Sequence, residues 1–267
     1  MLIMIRGGGD LASGVALRLH RAGLRLVITE LPQPLVVRRL VSFAEAVHEG
    51  EWTVEGVTAR HIEDPELAGN VLDAGHIPVL VDPELTSLEF LNPGVVVDAR
   101  MTKRPPEVGK GLAQLFIGLG PGFIAGENCH AVIETNRGHN LGRVYWEGAP
   151  EADTGIPGEI GGYRSERVLR APASGVLDNQ VRIGEVLREG EVITEVEGKP
   201  MQAPFSGVVR GLLRDGTRVR EGMKVGDIDP RGDPSYSTIV SDKSRSIGGA
   251  VLEAILSRPE IRSRLWT

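Results

Sequence analysis

Gly7, Gly9 and Ala12 follow the G-x-G-x-x-A spacing with which a strand-to-helix turn receives a dinucleotide. The first glycine permits the tight turn, and the second keeps a side chain away from the pyrophosphate. The small third residue lets helix and strand pack, and the amides around Gly8 and Asp10 face the anion. Glu30 stands 18 residues beyond Ala12, where an acid accepts ribose hydroxyls. The same residues also fit a glycine turn with no ligand. A second group, Asp98, Arg100 and Lys103, follows the apolar run Val95–Val97, where anion binding or acid–base chemistry is placed in open α/β sheets. Asp98 as a cap and the cations as surface residues is the competing reading. The run LFIGLGPGF offers Gly120 and Gly122 as a backbone nest for an anion, or as a structural turn. Cys129, with His130 and His139, invites a metal or thiolate role. Adjacent Cys and His seldom meet at one centre and no C-x-x-C or H-x-x-x-H supports them, so no metal is expected.

These groups must be carried by alternating strands and helices. Leu2–Arg6 reads as a strand, 11–22 as a helix closed by Gly23, and 24–29 as a second strand ending at Glu30. After the rigid Leu-Pro-Gln-Pro link, 37–45 reads as helical, and its Arg38 and Arg39 are either solvated or near an adenine or 2′-phosphate. Strands are expected at 77–81, 95–98 and 131–135. The Gly- and Pro-rich stretch 151–165 reads as a link between domains.

The second half contains an internal repeat. A shift of 32 residues places APASGV (171–176) on APFSGV (203–208), Arg182 on Arg214, Gly184 on Gly216, and Arg188-Glu189-Gly190 on Arg220-Glu221-Gly222. Short Val- and Ile-rich runs between turns predict β structure. This APxSG…REG pattern resembles biotinyl/lipoyl barrel-sandwich domains. Lys199 lies at the junction where such carriers are modified, but the usual flanking residues are missing and the return strand is short. A domain that docks a partner or covers the nucleotide is preferred. A helix over 241–257, capped by Asp242, completes the chain and docks back on the body.

The chain of 267 residues has a net charge of −6 and a sequence pI near 5.6. That balance argues against a general nucleic-acid binder. One cysteine among 267 residues excludes an internal disulfide and suits a reducing cytoplasm. No apolar run is long enough for a membrane span, and the N-terminus is not read as a signal peptide. A cytoplasmic location is therefore expected.

Taken together, IRGGGDLASGVALRL, TELPQPLVVRRLVSFAEAV, IGLGPGF with ENCHAVIETNRGHNLGRV, and APFSGVVRGLLRDGTRVREGMKVGDIDPR resemble the YqeB-like proteins. These are accessory proteins of selenium-dependent molybdenum hydroxylase systems, related in their Rossmann part to the XdhC factors. The resemblance implies a chaperone-like role in maturing a molybdenum hydroxylase client. The expected fold is an α/β Rossmann-like domain over 1–150, a linker over 151–165, a small all-β barrel-sandwich domain over 166–232 and a helical segment over 233–267. The expected ligand is a nucleotide or the molybdenum cofactor, at Gly7, Gly8, Gly9, Asp10, Ala12 and Glu30, with Arg100, Gly120 and Gly122 holding phosphate. Asp98, Lys103 and Cys129 are the candidates for chemistry, Cys129 as a sulfur or selenium relay. An NAD(P)-dependent oxidoreductase, with Lys103 or His139 as proton donor, is the alternative. The oligomeric state stays open.

Overall fold

A computed structural model of the chain describes residues 1–155 and 158–266. Two compact units emerge. The first comprises Met1–Pro34, Ser42–Thr154 and Val240–Thr267; the second comprises Leu35–Val41 and Gly155–Ile239. The helical end of the chain, expected as a segment of its own, therefore belongs to the first unit. Of the expected linker 151–165, Ile156 and Pro157 lie outside the described residues.

The first unit is built on a nine-stranded sheet. Its strands are β1 (Leu2–Arg6), β2 (Arg25–Glu30), β3 (Glu51–Val54), β4 (Val57–Ile62), β5 (Ile77–Val81), β6 (Val95–Asp98), β7 (Leu115–Leu119), β8 (Ala131–Ile133) and β9 (Val144–Tyr145). They lie in the order β3-β4-β5-β2-β1-β6-β7-β8-β9. Neighbours from β4 to β8 run parallel, while β3 on β4 and β9 on β8 are antiparallel. The inner strands read as unbroken apolar runs because both faces are covered. Met4, Val27, Val96, Phe116 and Val132 share one buried cluster, and Ile3, Ile5, Val95, Val97 and Ile117 are fully buried as well. Each such side chain contributes about 1.5–3 kcal/mol by leaving water.

Two helices exceed two turns in this unit, α1 (Asp10–Arg21) and, after the short α2 (Ala46–Glu49), α3 (Ala68–Asp73) and α4 (Leu88–Leu91), α5 (Asp242–Leu256), which is followed by α6 (Pro259–Arg262). Helices α1 and α5 cross where both lack a side chain. A Cβ on Gly14 would lie 2.6 Å from the Ser244 carbonyl oxygen, and one on Gly248 would lie 2.5 Å from the Gly14 oxygen. The helix read over 37–45 is instead two 3₁₀ turns, Arg39–Val41 and Phe43–Glu45, separated by the extended Ser42. The cap of α5 is Ser241, whose side chain accepts from the Ser244 amide, rather than Asp242.

The second unit holds two four-stranded antiparallel sheets. Its strands are β10 (Val168–Arg170), β11 (Gly175–Asn179), β12 (Val186–Leu187), β13 (Val192–Val196), β14 (Lys199–Gln202), β15 (Gly207–Leu212), β16 (Arg218–Val219) and β17 (Lys224–Asp229). The sheets run β10-β17-β15-β12 and β14-β13-β11-β16. The repeat explains itself here, because its two copies cap each other. The Glu221 amide donates to Ser174 Oγ (3.0 Å), and the Glu189 amide donates to Ser206 Oγ (3.2 Å). Gly222 N–H likewise donates to the Ala171 oxygen, and Gly190 N–H to the Ala203 oxygen, both at 2.9 Å. APxSG and REG recur because each APxSG receives the REG turn of the other copy.

These topologies correct the expected Rossmann-like domain with a biotinyl/lipoyl-like barrel-sandwich. The first unit is one mixed sheet, antiparallel at both edges, whose crossovers are mostly 3₁₀ turns and helices of four to six residues. The second is a pair of four-stranded antiparallel sheets, in which the 32-residue shift places β10 on β14, β11 on β15, β12 on β16 and β13 on β17. Lys199 is exposed on β14, paired with Val196 beside the Glu197-Gly198 turn.

Candidate functional site

The strand order reverses at β1, with β2 on one side and β6 on the other, so the carboxyl ends of these strands mark the expected crevice. Side chains of the unit already occupy that position. Gly8 N–H donates to Glu30 Oε1 (2.7 Å), and Leu31 N–H donates to Glu30 Oε2 (2.7 Å). The Gly8 oxygen accepts from the Ala44 amide (2.9 Å) and from Ser13 Oγ (3.1 Å). A Cβ on Gly8 would sit 2.8 Å from the Ala44 nitrogen. Residues 43–44 therefore cover the glycine turn, and Glu30 is spent on its amide instead of facing outward. Burial raises the Glu30 pKa, while the two amides pull it down. Gly7 turns the chain with φ +91°, Gly9 precedes α1 in an extended conformation, and Ala12 is buried.

Beside this turn, Asp98 is held by two arginines. Arg6 Nη1 donates to Oδ2 (3.0 Å), and Arg100 donates through Nε to Oδ1 (3.0 Å) and through Nη2 to Oδ2 (2.7 Å). Arg100 also reaches Glu107 (2.8 Å). Burial lowers the Arg6 pKa; for Arg100 the hydrogen bonds to Asp98 and Glu107 outweigh burial and raise it. Asp98 thus serves the charge balance of the sheet end. Gly120 and Gly122, at φ +71° and +105°, are close-packing positions, since a Cβ would strike Thr135 Oγ1 at 2.4 Å and the Arg104 oxygen at 2.3 Å. Cys129 is fully buried, and burial pushes its thiol up to about 11, which keeps it protonated and removes the basis for a sulfur or selenium relay. His139 is exposed, and among the described residues no group of three His, Cys, Asp or Glu is placed to hold a metal.

The sequence reading missed the group that gathers at the first turns of α1 and α5. Lys243, in the first turn of α5, is half-buried and makes no hydrogen bond or ion pair among the described residues. Burial lowers its pKa, Arg137 and Lys103 lower it further, and Asp10 and Glu134 oppose them. Its neighbours have partners. Arg137 forks onto Asp242 (2.5 and 2.7 Å), Lys103 pairs with Asp153 (2.8 Å), and Asp10 accepts from Ser244 Oγ (2.7 Å). Glu134, fully buried, accepts from the amides of Asn136 and Glu151, both at 2.7 Å. Of the sequence candidates, Asp10 and Lys103 come together here; Asp98 and Arg100 sit at the β1/β6 switch, and Cys129 is in the core. One signal was available: a lysine in a first helical turn opposes the helix dipole and calls for a reason.

No family model matches the chain. It is 50% identical over 255 residues to the uncharacterized protein YqeB of Escherichia coli (strain K12), a match that covers 96% of this chain and 47% of that protein. The chain thus spans about half the length of that relative. Among solved structures, an aspartoacylase family protein from Mesorhizobium loti aligns at 12% identity with a TM-score of 0.28, and a succinylglutamate desuccinylase from Silicibacter sp. at 11% with 0.25. A succinylglutamate desuccinylase/aspartoacylase from Rhodobacter sphaeroides aligns at 16% with 0.25. Each alignment covers 85% of this chain and 84% of the other. TM-scores this low transfer neither fold nor chemistry. The expected role as a selenium and molybdenum hydroxylase accessory, and the NAD(P) oxidoreductase alternative, are corrected at this point. The glycine turn on which both readings rested is closed by Glu30 and by residues 43–44, and the name of the relative mentions neither selenium nor molybdenum. No helix among the described residues is long and apolar enough to cross a membrane.

Proposed function

We propose, for a chain half identical to YqeB over 255 residues, that its first unit binds a small anionic ligand with Lys243 as the group that meets the negative charge. One observation carries this reading: Lys243 is a partly desolvated ammonium that makes no hydrogen bond or ion pair among the described residues, in a cluster whose other charged groups have partners. A desolvated cation beside other cations is costly by itself and attractive to an anion. Lys103 and Arg137 add positive potential, and the first-turn amides of α1 and α5 bring two helix N-termini to the same place. The lowered pKa also leaves Lys243 a larger neutral fraction than an ordinary lysine, which makes it a reactive amine.

Calorimetric titration of the whole chain with inorganic phosphate and with pyrophosphate tests the reading. Saturable binding should weaken at least about tenfold in Lys243→Ala and stay within about threefold in Lys243→Arg. Equal affinity in Lys243→Ala, or no saturable binding of either anion, overturns it. A second readout uses pyridoxal phosphate with borohydride, which should label Lys243 ahead of the exposed Lys199 when mapped by mass spectrometry.

A further inference from the structure

A polar cavity lies at the opposite, amino-terminal end of the first unit's strands from the Lys243 cluster. It is a cavity of about 120 Å³ lined by Gln114, Leu115, His130, Arg258, Glu260 and Ile261. Leu115 opens β7, and His130 immediately precedes β8. From the fixed donors that converge there, we infer that this cavity is a binding site for a small carboxylate, separate from the Lys243 cluster.

Arg258 supplies the charge. Its guanidinium lies over the Trp146 ring, 3.7 Å from the centroid, and makes no ion pair among the described residues. Stacking fixes the plane of the guanidinium and leaves its edge N–H groups for a bidentate acceptor. His130 supplies a second donor whose direction is set by the backbone. Its Nδ1 accepts the Phe116 N–H at 2.9 Å, so that nitrogen carries no proton and the neutral ring bears its proton on Nε2. Burial, Lys110 and Arg258 all lower the His130 pKa, which keeps that tautomer in place at neutral pH. Lys110 is tied to the Gly126 oxygen and contributes potential only. Gln114 is held on its oxygen by Arg264 Nη1 (3.0 Å), which turns its amide nitrogen into a further donor.

The volume sets the ligand. At roughly 30 Å³ per water, the cavity takes the equivalent of about four waters, which suits an acid of about four to six heavy atoms. Glu260 at the wall is exposed and forms no pair with Arg258, and it disfavours a multiply charged anion more than a single carboxylate.

The test titrates the full chain with acetate, propionate and inorganic phosphate at constant ionic strength. In Lys243→Ala, which removes the other anion site, a monocarboxylate should bind saturably and more tightly than phosphate. Its affinity should fall at least about tenfold in Arg258→Gln and several-fold in His130→Phe, and remain unchanged in Lys243→Ala. Glu260→Gln, which leaves the Trp146 stack in place, should tighten binding about threefold by removing a like charge. Phosphate binding tighter than both acids in Lys243→Ala, unchanged affinity in Arg258→Gln with no tightening in Glu260→Gln, or a loss of carboxylate affinity in Lys243→Ala equal to that in Arg258→Gln would overturn the assignment. Failure of the Lys243 variants to affect phosphate sinks the earlier reading alone, so the two are separable.

Discussion

Single side chains carry the sharpest tests. Asp98 neutralises two arginines, one of them nearly as buried as itself, so its removal leaves a charge in the core. Asp98→Ala should lower stability by about 3–5 kcal/mol, measured by urea unfolding. Lys243 works in the other direction. Its pKa is lower in the folded state than the ordinary 10.5, so the unfolded chain binds more protons between those two values. Stability therefore rises with pH across that window, and below it the charged lysine is a full liability. Lys243→Met should raise Tm by about 2 °C at pH 7 while abolishing phosphate binding, and the gain should shrink as pH climbs toward 10.5. A lower Tm in this variant would show that the ammonium has a partner. At this scale the sequence was half legible. Asp98, Arg100 and Glu30 were found by their positions at strand ends, but position does not reveal which neighbour claims a carboxylate. Glu30 lay where a ribose acid belongs and turned back onto Gly8, only 22 residues away in the chain.

Elements show the reverse balance. Strands Leu2–Arg6, Ile77–Val81 and Val95–Asp98 were readable to within a residue because both-face burial demands uninterrupted apolar runs. The 37–45 stretch was not, since its apolar spacing mimics a helix while Ser42 is extended at φ −123°. Gly248, whose lack of a side chain lowers helix propensity, is where α5 packs closely against α1. Gly14→Ala should cost about 1–3 kcal/mol from overpacking, against a helix-propensity gain of up to about 1 kcal/mol, and calorimetric Tm would report the sign. The reciprocal caps of the repeat predict matched effects. Ser174→Ala and Ser206→Ala should each lose about 1 kcal/mol, and markedly unequal losses would deny that the two caps are equivalent.

For the whole molecule, the repeat and the topology drew the eye to two bodies, but the boundaries cross the chain in ways that no local pattern announces. Leu35–Val41 belongs with the second unit because Val37 and Leu212 are joined by a backbone hydrogen bond at 2.8 Å and Arg39 Nε reaches the Leu212 oxygen at 2.9 Å. Such long-range pairing depends on partners more than 170 residues apart, |i−j| being 173 for the Arg39 bond. Cys129, the lone thiol of the chain, offers a global probe. Fully buried and protonated, it should react with a disulfide reagent only as the first unit opens, so labelling and urea unfolding should share one midpoint. Rapid labelling in native buffer would contradict that burial.

The α1–α5 crossing has a further consequence for how the chain is made. Asp10 and its partner Ser244 are 234 residues apart. At a ribosomal pace of about 5–20 residues per second, the flank of α1 that α5 covers waits bare for roughly 10–50 s. During that interval the glycine-notched groove is an open seat for a foreign helix or a holding chaperone, and the nascent chain is most vulnerable there until α5 emerges and closes the seam.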